Sequence, residues 1–154
     1  MTLDLENLVA IDVHTHAEVS DDGHHSLPDD LMEASAAYFR TDQGRAPSLD
    51  VLAAHYRERR MAAVVFTVDT EHETGHPPIP NDDVARAAQR HPDVLIPFAS
   101  IDPHRGAAGV EEARRLVTDM GVRGFKFHPT IQGFSPDDPM AYPLYDAISE
   151  LGVP

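Results

Sequence analysis

Two histidines one residue apart close an apolar run, Leu8-Val9-Ala10-Ile11-Asp12-Val13-His14-Thr15-His16. In a strand, successive side chains alternate faces and advance ~3.3 Å per residue, so His14 and His16 point the same way with backbones ~7 Å apart. Imidazoles that converge like this suit a divalent ion, Zn2+ first, whose bonds to nitrogen are ~2.0–2.1 Å. Asp12 falls on the same face one step deeper, and Glu18 lies two residues beyond His16. Either carboxylate is a candidate ligand for that ion or for its water. The competing reading is a strand end with solvated histidines. Against it stands the use of two same-face positions of an apolar segment for titratable rings.

A second group lies in Phe125-Lys126-Phe127-His128. Lys126 and His128 share the face opposite the two phenylalanines, so if the aromatics pack outward the lysine points inward, to the level of His14 and His16. A lysine in such a place is paired, neutralised or carboxylated. It either acts on substrate or salt-bridges to Asp12 or a loop acid, and His128 is either a substrate-side group or a solvated loop residue. Asp69 and Asp102-Pro103-His104 also follow strands, where an N-cap or a turn explains them equally well. His24, His25, His55, His72, His76 and His91 are assigned no role.

The chain has 154 residues and no cysteine, so thiolate sites and disulfides are excluded and a metal must rely on His, Asp, Glu or a modified Lys. With 26 acidic against 12 basic residues and a formal net charge of −14, nucleic acid is a poor partner, while a local basic pocket for an anionic substrate is still allowed. The N-terminus carries acids where a signal peptide carries basic residues, and no apolar run approaches ~18 residues. These features predict a soluble cytoplasmic protein with no membrane contact.

Positioning the candidate residues requires strands that end together. Apolar runs at Leu8–His16, Ala62–Val68, Val94–Ile101 and Val122–His128 read as four strands. Pro97 weakens the third, because proline removes a ladder donor. Helical patterns separate them. One runs from Pro28 through Phe39 and is broken over Thr41 to Pro47; a second is capped by Ser48; a third is capped at Asn81-Asp82-Asp83 and runs through Ala88. A fourth spans Gly106 to Met120, and a last one Tyr142 to Glu150 is followed by Gly152. Strand-then-helix units in series predict a parallel α/β sheet with right-handed crossovers. A (β/α)₈ barrel needs ~250 residues. Residues 1–154 therefore read as one domain, the first four strands of a TIM barrel, with Val153-Pro154 at the start of a fifth.

The ordered set Ile11-Asp12-Val13-His14-Thr15-His16, Ser100-Ile101-Asp102-Pro103, Gly121-Val122-Arg123-Gly124-Phe125-Lys126-Phe127-His128-Pro129 and Tyr142-Pro143-Leu144-Tyr145 resembles the amidohydrolase superfamily. It is most similar to the amidohydrolase-related branch that includes aminocarboxymuconate-semialdehyde decarboxylase. The resemblance implies a (β/α)₈ barrel and a divalent metal held by His14 and His16. It also implies further ligands on strands five, six and eight, and a metal-activated water attacking the carbonyl of a carboxylate or acyl substrate. Decarboxylase or hydratase chemistry in the same site is the alternative. A third possibility is a non-catalytic half-barrel that self-associates through its edge strands as a homo-oligomer.

Overall fold

The computed structural model describes residues 3–40 and 46–154. Residues 41–45 of the predicted break, and Met1-Thr2, lie outside the described residues. Three strands, β1 (Ala10–His16), β2 (Met61–Phe66) and β3 (Leu95–Pro97), pair in parallel in that order. Helices α1 (Asp29–Phe39) and α2 (Leu49–Glu58) join β1 to β2, and α3 (Glu71–Thr74) and α4 (Asn81–Arg90) join β2 to β3. Beyond β3 come α5 (Gly106–Thr118), α6 (Pro129–Gln132) and α7 (Tyr142–Glu150). None of the described helices is long and apolar enough to cross a membrane.

β2 is the centre of the sheet because Ala62-Ala63-Val64-Val65-Phe66 is apolar on both faces, and every one of these residues is buried. Ala63 and Val65 pack outward against Leu49 and Ala53 of α2 and Val84, Ala87 and Ala88 of α4. The amide of Val51 donates to Ser48 Oγ at 3.4 Å, so Ser48 caps α2 as its sequence position predicts. A second outer core joins α5 and α7 to the following chain through Leu116, Val122, Phe125, Leu144 and Ile148.

Three local features depart from the sequence reading. The predicted cap at Asn81 lies one residue inside α4, whose N-cap is Pro80. The Asn81 amide instead exchanges two bonds of 2.9 Å with the Ser100 backbone, tying α4 to the end of β3. The predicted third strand is only three residues long, and the fourth is reduced to a single parallel bridge between Ala99 and Phe125. Pro97 supplies the reason. Its carbonyl accepts from Arg123 N at 2.8 Å, so its missing N–H removes a rung on that same side of β3. The extended segment still docks there: Ala99 N donates to Gly124 O at 2.9 Å and Lys126 N to Ala99 O at 2.7 Å. On its far side Phe125 N donates to Pro154 O at 2.8 Å.

The third departure lies in β1. Ala10 to Asp12 pair with Met61 to Ala63, but Thr15 and His16 pair with Val65 and Phe66, so β1 carries one extra residue between Asp12 and Thr15. This bulge inverts the alternation, putting Asp12 and Thr15 on the outer, helix-covered face and leaving His14 and His16 together on the other.

Gly124 marks the closest approach of the docked segment. A Cβ there would lie 2.5 Å from Phe98 Cε2. Gly124→Ala should therefore destabilise the fold by about 1–3 kcal/mol through overpacking, read as a lower urea midpoint with unchanged slope. A midpoint equal to the parent's would mean that the Phe98 ring swings clear at no expense.

Candidate metal centre

His14 and His16 converge: their Nε2 atoms are 3.1 Å apart and their ring centroids 5.2 Å. Two bonds of ~2.0–2.1 Å meeting at a tetrahedral angle would place such nitrogens about 3.3 Å apart, so the pair has the bite of two ligands to one ion. Phe66, at the end of β2, is the wall beneath both rings. It meets them edge-on at centroid distances of 5.3 and 4.9 Å. The Lys126 ammonium lies 5.5 Å from the Phe66 centroid, which puts the cation at the same mouth of the sheet as the imidazoles. Phe125 and Phe127 pack into the outer core, as the alternation along this segment requires.

The other residues singled out from sequence are placed differently. Asp12 is not brought to the histidine pair. Its Oδ1 accepts from the His14 amide at 2.9 Å and its Oδ2 from the Tyr56 hydroxyl at 2.7 Å, because the bulge turns it towards α2. The Tyr56 hydroxyl, followed by the His14 amide, holds the Asp12 carboxyl below the usual carboxylate range. Glu18 accepts a hydrogen bond from Ser26 Oγ, and its charge is felt at His16. Among the described residues no third His, Asp or Glu joins the pair to form a group able to enclose a metal ion. His128 is fixed through its backbone, the amide donating to Gln132 Oε1 at 2.6 Å, while its charge reaches His16.

A polar lattice behind this mouth was not apparent in the sequence. Asp69, buried at the end of β2, accepts from Arg105 Nε at 2.6 Å and from the Asp102 amide at 3.0 Å. Its own amide donates to Ser100 Oγ at 3.1 Å, and its carbonyl accepts from the buried Gln132 Nε2 at 3.0 Å. Asp102 Oδ1 accepts from both the amide and Nδ1 of His104, at 2.9 and 2.7 Å. Several histidines given no role act as struts. His24 and His76 stack at 4.8 Å while their Nε2 atoms bond the carbonyls of Pro77 and His25. His72 stacks on His104 at 4.0 Å, and His91 bonds Asp50 at 2.9 Å.

The architecture is thus a parallel α/β sheet with two convergent imidazoles at the C-terminal end of its first strand. Residues 11–154 match the amidohydrolase family, and the chain belongs to it. It is 25% identical over 72 residues to the 2-amino-3-carboxymuconate-6-semialdehyde decarboxylase of Dictyostelium discoideum, a match covering 47% of this chain and 20% of that protein. Two structures of 5-carboxyvanillate decarboxylase from Novosphingobium aromaticivorans superpose with a TM-score of 0.58 each, at 15% and 16% identity. They cover 97% and 100% of this chain, which spans 50% and 52% of theirs. Both hold manganese together with a hydroxy-methoxy-nitrobenzoic acid.

Burial, only partly offset by the nearby Glu18 carboxylate, pushes the His16 imidazole below its ordinary value of 6.5. The neighbouring His14, Lys126 and His128 charges act in the same direction as burial. His16 is therefore neutral at pH 7, the state that carries a free lone pair for a metal. Its contribution to stability is complete above the unfolded value and is lost as pH falls through the lower folded value. An NMR titration of the metal-free chain should show a His16 midpoint below 6.5. A midpoint at or above that value would mean that Glu18 outweighs burial.

Proposed function

We propose that residues 1–154 supply the first half of a (β/α)₈ barrel and half of a metal-dependent active site that acts on a small carboxylate or acyl compound. The 3.1 Å approach of His14 Nε2 to His16 Nε2 carries this reading. The donor set fits a first-row divalent ion: two imidazole nitrogens from successive same-face positions, with the remaining coordination left to groups beyond this pair. Zinc suits two imidazoles, and the manganese of the carboxyvanillate decarboxylases supports a divalent ion in general. When bound, the ion supplies Lewis acidity towards a substrate oxygen or a water.

The chain's own residues do the rest. His14 and His16 hold the ion, with Phe66 closing the floor beneath them. Lys126 faces the same mouth and attracts and orients a substrate carboxylate; His128 stands beside it to carry a proton. A net charge of −14 repels anions over most of the surface, so a cationic mouth is where an anionic substrate would settle.

Hydrolysis by attack of water on a carbonyl is the first reading. Decarboxylation is the second, favoured by the lysine beside the histidine pair and by relatives that are decarboxylases. The two differ in mass balance. A chain extended through the eighth strand, assayed on small carboxylic acids and acyl compounds in ¹⁸O-water, should place ¹⁸O in the organic product if it hydrolyses. It should release CO₂ and leave the product unlabelled if it decarboxylates, and neither outcome on any such compound would remove the proposal.

The metal itself can be tested on the present chain. With two protein nitrogens converging, Zn2+ or Mn2+ should bind weakly in equilibrium dialysis and be stripped by a chelator, and His14→Ala should abolish the binding. Stoichiometric, chelator-resistant metal would mean that further groups complete the site within these 154 residues.

A further inference from the structure

The histidine pair sits in a weak place for a geometry that must be held to a fraction of an ångström. The ladder from β1 to β2 is interrupted by a bulge that includes His14 and ends immediately before His16. The amide of His14 lies between the paired residues Asp12 and Thr15, where neither Val13 nor His14 has a register partner on β2. Something else must fix it.

We propose that Tyr56 is the positioning residue for the His14–His16 pair, acting through Asp12 and Thr15 to clamp the bulge from the helix layer. The role follows from its bonds. Tyr56 has one hydroxyl proton, given to Asp12 Oδ2 at 2.7 Å, so the Thr15 hydroxyl at 3.1 Å donates to Tyr56 Oη. Tyr56 therefore spans the extra residue, holding the last residue paired before it and the first paired after it. The other Asp12 oxygen takes the His14 amide at 2.9 Å, which passes the restraint directly to the backbone that carries the first imidazole. Tyr56 can do this because it stands on α2, whose Leu49 and Ala53 are buried in the outer core and whose start is capped by Ser48. Asp12 thus serves the metal pair from behind instead of ligating it.

The geometric part of this inference is independent of any metal, and its consequence for affinity rests on the metal reading above. Tyr56→Phe removes only the hydroxyl. In the metal-free chain the His14 amide should then exchange at least tenfold faster, and the nuclear Overhauser contact between the two imidazoles should be lost. Zn2+ affinity measured by calorimetry should fall about 10- to 100-fold, the range for lost outer-shell partners of metal ligands. Asp12→Asn should act in the same direction, and it serves as the test if Tyr56→Phe does not fold. Ser48→Ala is the control for mere loss of stability, since it loosens the same helix without touching the bulge. It should lower the melting temperature and leave ring contact, exchange and affinity unchanged. Wild-type exchange and ring contact in Tyr56→Phe, or equal losses in Ser48→Ala, would overturn the proposal. Release of the ring pair in Tyr56→Phe, in a chain that never bound Zn2+, would uphold the positioning role and remove the metal reading alone.

Discussion

One extra residue in β1 decides which layer of the sheet each polar side chain enters. Parallel pairing with β2 fixes Asp12 opposite Ala63 and Thr15 opposite Val65, both on the face that packs against α2 and α4. Between these anchors two residues of β1, Val13 and His14, stand against Val64 alone on β2, so the phase slips and both histidines are delivered to the opposite face. Without the slip, Asp12 would share that face with the imidazoles and leave Tyr56 without its acceptor. The bulge thus separates a carboxylate that braces from imidazoles that are free to bind.

Phe66 links the two halves of the site. It ends β2, is fully buried, and touches both imidazole rings while lying under the Lys126 ammonium. The ring supplies no proton and no strong dipole. What it does is exclude water from beneath the histidines, which contributes to the burial that keeps His16 neutral. Its electron-rich face also holds a cation close to two nitrogens without making a salt bridge that would cancel the charge. Apolar packing and the neighbouring cation here act on His16 in the same direction, towards the neutral ring.

Features governed by periodicity could be read from the sequence, whereas those set by contacts between distant segments could not. The apolar run of β2, the Ser48 cap and the helix that starts at Gly106 all follow local rules, and the structure follows them. The shared face of His14 and His16 is of the same kind, being a two-residue spacing. The bulge is not, because nothing in Asp12-Val13-His14-Thr15 announces an insertion; only pairing with β2 and the reach of Tyr56 across 44 positions to Asp12 define it. Asn81 is a comparable case. It sits in a strong capping sequence, yet its amide is drawn to the Ser100 backbone, where the two bonds it makes are worth more than one cap. The fourth strand was legible as an extended segment and not as a ladder, since the missing rung is a property of its neighbour Pro97.

The same long-range logic explains how a mouth built from loops can be rigid. Asp69 is nearly inaccessible to solvent, and its carboxylate, amide and carbonyl groups are all occupied, by Arg105 and the Asp102 amide, by Ser100, and by Gln132 respectively. These partners come from the segments after β3 and after the docked fourth segment, so one residue at the end of β2 ties three strand ends together. Gln132, fully buried, carries the restraint onward: its Nε2 is spent on the Asp69 carbonyl and its Oε1 accepts the His128 amide. An amide side chain has distinct donor and acceptor ends, so fixing one end orients the other. His128 is therefore held by its backbone, and through Gln132 the end of the docked segment is tied to the end of β2.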